Sequence, residues 1–152
     1  MNASHELCVD ANVFVAALIK RERHHQVAVQ LINVLLENEI PLFEPEVVLF
    51  EVGTAFYRKR AEGAVSDEEM ADALDLFFQY PMIFEWQSEI VRNAVRLSLR
   101  LSYRGIADCC YLALAQKRNI PLITFDEKLI ARGRIFYRKI STPSEFLQLT
   151  PQ

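Results

Sequence analysis

The stretch Gly105-Ile106-Ala107-Asp108-Cys109-Cys110-Tyr111-Leu112-Ala113-Leu114-Ala115 decides the fold of this chain. It is apolar on every side, and at helical length such a run predicts a helix buried at the centre of the protein. Its first turn carries one carboxylate, Asp108. A buried ionised carboxylate requires a cation, a proton or several hydrogen bonds, so the residues that face Asp108 should reveal the chemistry.

Length and composition predict a single domain over residues 1–152. The chain is 51% hydrophobic and 24% charged, which is enough apolar material for a substantial core. The formal net charge is −3, so the protein is no polycation. A nucleic-acid substrate is still compatible with this charge, because a metal ion bound at a local acidic focus would neutralise part of it.

The cysteines and the apolar runs predict a cytoplasmic protein that does not bind membranes. Three cysteines do not make a disulfide framework, and no CxxC pair with zinc spacing is present. The N-terminus is polar, and no apolar run approaches the ~20 residues that span a bilayer.

Short apolar strands alternate with helices along the chain, which predicts an α/β fold with a parallel sheet wrapped by helices. The predicted strands are residues 7–9, 40–43, 82–86, 121–125 and, at one edge, 135–140. The first predicted helices are 13–19, with Asn12 as N-cap, a helix that follows the charged connection 20–25 and extends to residue 37, and 46–60. The later ones are a capped helix from residue 67 to Pro81, 90–101, the central helix and 127–132, with a final turn at 142–145.

Four carboxylates fall where such a fold collects functional groups. Asp10 and Asp126 each end a strand, and sites in open α/β sheets form beyond the carboxyl ends of the strands. Asp108 opens the central helix, and Glu51 shares a helix face with Val47, Phe50, Thr54 and Ala55. Like charges brought together need a cation, and oxygen ligands without His or Cys favour Mg²⁺ or Mn²⁺ over zinc.

Each acid also has a structural interpretation when it is taken alone. Asp10 and Asp126 are plausible helix N-caps, and Asp108 could simply complement a helix dipole. Glu51 could pair with an arginine across the core. It is the set of four that favours a metal site over these separate roles.

The same residues resemble the four acidic motifs of PIN-domain nucleases, and the branch they most resemble is the VapC-type toxins of toxin–antitoxin pairs. The matching segments are Val9-Asp10-Ala11-Asn12, residues 45–52 around Glu51, residues 107–115 around Asp108, and Leu122-Ile123-Thr124-Phe125-Asp126. They occur in the family's order over nearly the whole chain. One departure is Cys109-Cys110, where many relatives carry smaller or aliphatic residues, which concerns helix packing rather than metal binding.

The resemblance implies a PIN-like, Rossmann-like α/β/α sandwich with a mainly parallel central sheet, and RNA cleavage with Mg²⁺ or Mn²⁺. It assigns Asp10, Glu51, Asp108 and Asp126 as catalytic metal-binding acids. Asn12 and Thr124 correspond to polar residues that support the site by hydrogen bonds. It also implies a homodimer through the helix pair 47–60 and 67–79, which carries large apolar residues, and a small antitoxin as partner.

The RNA must also be held near the acids, and four basic residues are candidates because they flank Asp108 and Asp126 in sequence. These residues are Arg104, Lys128, Arg132 and Arg134. The alternative is that they belong to solvated helix faces. Residues 20–25 are interpreted as surface charge, and their two histidines have no metal-ligand partners in the sequence.

Three other functions remain open from the sequence. The chain could be a housekeeping RNA-processing nuclease, or a non-catalytic module that keeps the metal site for partner recognition. A strand-end aspartate also starts haloacid-dehalogenase phosphatases, but those need a second aspartate two residues on, where this chain has Asn12.

Overall fold

The computed structural model describes residues 6–149 and contains a parallel β-sheet flanked by helices. The strands are β1 (Cys8–Val9), β2 (Leu42–Pro45), β3 (Met82–Glu85), β4 (Leu122–Ile123) and β5 (Ile140–Ser141). β1, β4 and β5 are neighbours in that order, and β2 pairs with β3. A parallel bridge between Leu7 and Leu42 connects the two groups, so the strand order is β3-β2-β1-β4-β5. The predicted α/β class with a parallel sheet is confirmed.

Eight helices connect and cover the strands within the described residues. They are α1 (Ala11–Leu18), α2 (His25–Glu37), α3 (Val47–Ala61), α4 (Asp67–Phe77), α5 (Ser88–Leu101), α6 (Ile106–Arg118), α7 (Glu127–Gly133) and α8 (Pro143–Leu149). The capping box predicted for α4 is present, since Ser66 and Glu69 bond each other's backbone N–H groups. None of the described helices combines the length and the apolar character needed to cross a membrane.

The central helix α6 is buried as its sequence predicts. Every residue from Cys109 to Ala115 is buried, and the helix packs against α5, β1, β2 and β4. A helix that is apolar on all sides can only be accommodated in this way. Its burial fixes Asp108, in the first turn, against the sheet edge at which β1 and β4 end.

Several details of the predicted elements are wrong. Residues 135–139 form turns and bends, so the last strand is limited to Ile140–Ser141, and the final turn is the helix α8. The N-cap of α1 is Asp10 rather than Asn12, because the Asp10 carboxylate accepts the Asn12 backbone N–H. The capping role and the strand-end position of Asp10 therefore coexist.

The buried face of α3 also differs from the predicted one. Val48, Val52 and Phe56 are buried, whereas Phe50 is 75% exposed. The predicted face at Val47 and Phe50 was off by one residue, because an apolar run permits more than one helical stripe. Glu51 lies on the flank of the buried face and is half-buried.

Glu44, a residue of β2, has a fully buried carboxyl group that contacts the backbone of β1. The backbone of Phe43 still bonds Leu7 at 2.8 Å, but the next donor, Val9 N–H, bonds the Glu44 Oε1 atom at 2.8 Å. The thiol of Cys8 donates to Glu44 Oε2 at 3.6 Å. Burial raises the pKa of Glu44 well above its usual range. The side chain therefore takes the place of a backbone acceptor for the residue just before Asp10, a role that no pattern in the sequence indicates.

We expect Glu44→Ala to lower the free energy of unfolding by about 2–4 kcal/mol, because it leaves a buried N–H unpaired and opens a cavity. Glu44→Gln keeps an acceptor for Val9 N–H and should cost less than half as much. Urea titration at pH 7 measures both changes. Equal losses for the two variants would contradict the proposed acceptor role.

Candidate metal centre

Three carboxylates from distant parts of the chain meet at the carboxyl end of β1. Asp10 follows β1, Glu51 lies on α3 and Asp108 lies in the first turn of α6. One oxygen from each lies within 4.8 Å of the other two. Asp10 is only 3% exposed, whereas Glu51 and Asp108 are half-buried, so the cluster opens to solvent on one side.

Asp10 is held by two polar side chains, one from the residue that follows β4 and one from the first turn of α1. Thr124 Oγ1 donates to Asp10 Oδ2 at 2.7 Å, and Asn12 Nδ2 donates to the same oxygen at 3.0 Å. Asn12 also bonds Thr124 at 3.1 Å and accepts the Phe125 backbone N–H at 3.2 Å. The two residues proposed to support the site therefore do contact Asp10, and they connect the end of β1 to the end of β4.

Asp126 lies beside the three clustered acids rather than among them. Its Oδ1 atom caps α7 by accepting the Leu129 N–H at 2.8 Å. Its Oδ2 atom is bonded to the phenol of Tyr103, which also contacts Asp108 Oδ2 at 2.8 Å. The Tyr103 hydroxyl group thus connects Asp126 to Asp108, and Asp126 lies outside the cluster formed by the other three acids.

Glu51 accepts a hydrogen bond from a second tyrosine. The hydroxyl group of Tyr111, one turn after Asp108 on α6, donates to Glu51 Oε2 at 2.6 Å. Neither tyrosine is among the site residues that the sequence predicts. The spacing of Tyr111 three residues after Asp108, on the same helical face, was a usable signal. Tyr103 had none, because its contact depends on the loop between α5 and α6.

Gly105 allows Tyr103 and Asp108 to approach each other. A Cβ atom at position 105 would lie 2.0 Å from Asp108 Oδ2 and 2.5 Å from Tyr103 Cε1. Any larger residue would displace both side chains, so the glycine that precedes α6 is required by close approach.

The electrostatics of the cluster are unfavourable without a cation. Burial raises the pKa of Asp10 from 3.8 to about 7, against the hydrogen bond from Thr124, and Asp108 and Glu51 raise it further. Burial likewise raises the pKa values of Glu51 and Asp108, against the hydrogen bonds from their tyrosines. Among residues 6–149, no lysine or arginine forms an ion pair with any of these acids.

The donor set fits a hard divalent cation. All candidate ligands are carboxylate oxygens, and their mutual distances suit a shared ion with some adjustment on binding. Neither His nor Cys is among them, which argues against a zinc site. The three clustered acids Asp10, Glu51 and Asp108 would hold the ion, with Asp126 next to them.

The four basic residues considered for RNA binding lie in different environments. Arg132 bonds the carbonyl oxygens of Leu101 and Ser102, and so caps the end of α5. Arg134 pairs with Glu145 at 2.6 Å and bonds the Ile140 carbonyl group. Arg104 and Lys128 have exposed side chains near the acids in sequence. Arg132 and Arg134 are therefore engaged in contacts within the fold, whereas Arg104 and Lys128 extend into solvent.

Because the pKa of Asp10 is raised in the folded protein, the free energy of unfolding should depend on pH. A carboxyl group whose pKa is 3.8 unfolded and about 7 folded binds more protons in the native state, so its contribution to stability falls as pH rises from about 4 to 7. In EDTA at pH 8, Asp10→Asn should therefore raise the free energy of unfolding by about 1–3 kcal/mol, after the cost of a poorer cap. At pH 4 the gain should vanish. Urea titrations at both pH values measure this, and a gain of equal size at pH 4 would contradict the assignment.

Comparison with known proteins identifies the family. A family model described as "PIN domain" matches residues 7–135. A search of curated protein sequences finds no significant match.

Three solved structures share the fold. The toxin VapC20 of Mycobacterium tuberculosis, described as cleaving the sarcin-ricin loop, has a TM-score of 0.66 and 18% identity, covering 84% of this chain and 95% of that one. VapBC2 of Rickettsia felis, solved with a DNA fragment from its promoter, gives 0.66 and 17%, covering 90% and 98%. A toxin–antitoxin complex from Klebsiella pneumoniae gives 0.60 and 17%, covering 90% and 97%.

At these identities the three structures show a common fold. The family model spans the chain from β1 to the segment after α7, and it includes all four acids and the residues that support them. The protein belongs to the PIN domain family.

Proposed function

We propose that this protein is a Mg²⁺- or Mn²⁺-dependent endoribonuclease, and that it is the toxin of a type II toxin–antitoxin pair. The observation that carries the proposal is the meeting of Asp10, Glu51 and Asp108 within 4.8 Å, with none of them paired to a lysine or arginine among residues 6–149. Such a cluster is costly unless it binds a metal ion. Membership of the PIN family supports nuclease chemistry at this cluster.

A divalent ion in this site would activate water and stabilise the negative charge that develops on a scissile phosphate. The chain's own residues position the ligands. Thr124 and Asn12 orient Asp10 through its Oδ2 atom, and Tyr111 orients Glu51. Tyr103 holds Asp126 next to Asp108, so that Asp126 is placed to accept a proton or to bind a second ion.

The role as a toxin rests on the structural neighbours, two of which are toxin–antitoxin complexes. A housekeeping RNA-processing nuclease would use the same site, and the presence of a short antitoxin-like reading frame next to this one would distinguish the two. The cytoplasm is the compartment that this proposal requires.

We expect Asp10→Asn to reduce RNA cleavage about 100-fold or more, because it removes a negatively charged ligand from the centre of the cluster. EDTA should abolish cleavage, and Mg²⁺ or Mn²⁺ should restore it. Product formation from a mixture of cellular RNAs, followed on a gel with metal added back, measures both effects. The exposed residue Asp75 on α4 offers the control Asp75→Asn, which should cut like the wild type.

Unchanged cleavage by the Asp10 variant would refute the assignment of the site. Absence of RNA cleavage in the wild type, together with divalent metal binding, would favour the non-catalytic module. Hydrolysis of small phosphomonoesters without RNA cleavage would favour a phosphatase.

The helix pair α3–α4 supports the proposed homodimer and the antitoxin surface. Phe56 and Phe77 belong to the core, whereas Phe50, Tyr57 and Phe78 are 75%, 74% and 64% exposed. Large aromatic side chains with this exposure on neighbouring helices are typical of an interaction surface.

We expect the protein to have twice its monomer mass of 17.6 kDa in solution. The double change Phe50→Ala with Tyr57→Ala should yield monomers, because it removes the two most exposed of these three rings. Light scattering after size exclusion measures the mass. Ile135, 77% exposed outside the helix pair, gives the control Ile135→Ala, which should stay dimeric. A monomeric wild type would refute the homodimer.

A further inference from the structure

The exposed imidazole of His24 stacks on the ring of Phe125. The ring centroids are 4.4 Å apart and the planes are inclined by 14°. Within the described part of the chain, Phe125 is the only ring that contacts His24. One face of the imidazole is therefore covered by an aromatic ring, while the side chain as a whole is exposed.

The stacked pair lies beside the acids. Phe125 stands between Thr124, which bonds Asp10, and Asp126, and its own N–H bonds Asn12. The next residue after His24, His25, contacts the Ala16 carbonyl group on α1 at 2.8 Å. Asp10 caps the start of that helix, and Ala16 lies about 9 Å further along the helix axis.

The connection that carries His24 is fixed at several points. His25 bonds α1 as described, and Glu22 forms an ion pair with Lys59 of α3 at 2.5 Å. A cavity of about 400 Å³ lies next to His24 and is lined by Lys20 and residues 22–27. Lys20 and Arg23 have exposed side chains at this cavity, so positive charge accompanies the stacked ring.

We propose that the His24–Phe125 pair is a stacking platform for a nucleobase of single-stranded RNA, with Lys20 and Arg23 contacting the adjoining phosphates. Single-stranded RNA is held in this way, by bases stacked on aromatic side chains and by cations along the backbone. The inference deepens the proposed ribonuclease function and rests on it. It gives the charged connection between α1 and α2, otherwise surface charge, a part in holding the substrate.

The test compares a fluorescein-labelled oligoadenylate with an abasic oligoribonucleotide of equal length, both in EDTA so that neither is cut. Wild-type protein should bind the oligoadenylate more tightly. His24→Ala should weaken binding of the oligoadenylate about 5- to 100-fold and leave the abasic strand unchanged. His24→Trp should keep the preference, because it retains a stacking ring. Lys20→Ala with Arg23→Ala should weaken both strands alike and reduce the salt dependence.

Phe136 provides the matched control, since its ring is 48% exposed on the segment that leads into β5, away from the carboxyl ends of the strands. Phe136→Ala should bind both strands like the wild type. Thermal melting checks that each variant is folded. Equal binding of the two strands by the wild type, or an equal effect of His24→Ala on both, would overturn the platform.

Failure of this inference can be told apart from failure of the proposed function. If Asp10→Asn abolishes cleavage while His24→Ala leaves the base preference intact, only the platform is wrong. If binding depends on His24 but no divalent ion supports cleavage, the nuclease proposal is wrong and the platform stands.

Discussion

The mutual repulsion of Asp10, Glu51 and Asp108 is the constraint on which the rest of the site depends. Three carboxylate oxygens within 4.8 Å, one of them almost fully buried, would not stay ionised together without compensation. Burial raises the pKa of Asp10 to about 7, and the neighbouring Asp108 and Glu51 contribute to the rise. The acids stay close together because β1, α3 and α6 hold them in place. A divalent ion bound between them would replace their repulsion by attraction to the ion.

The hydrogen bonds that the protein itself supplies to these carboxylates come from uncharged donors. Thr124 and Asn12 donate to Asp10, Tyr111 to Glu51, and Tyr103 lies between Asp108 and Asp126. Hydroxyl and amide groups orient a carboxylate without neutralising it, whereas an arginine or lysine at the same place would compete with a metal ion. The choice of neutral donors therefore leaves the cluster ready for a cation.

Backbone contacts around the site also hold the acids in position. Asp10 and Asp126 both cap helices at the carboxyl ends of neighbouring strands, so their backbones are fixed by the sheet on one side and a helix on the other. Glu44 fills the gap where β1 and β2 separate and bonds the strand just before Asp10. Gly105 lets the first turn of α6 approach closely enough for Tyr103 to reach Asp108.

The sequence by itself determined the α/β class and the buried central helix, because hydrophobic period is a local property. It also predicted four acids as one site, three of which the structure brings together. It placed the face of α3 off by one residue and made β5 too long, because apolar runs are compatible with several registers. Only the tertiary structure decided that Asp126 stands outside the trio, that Tyr103 bonds Asp108 and Asp126, that Glu44 bonds the strand before Asp10, and that His24 stacks on Phe125. Those facts depend on contacts between segments as much as 101 residues apart in sequence, and no local pattern records which side chains such segments bring together.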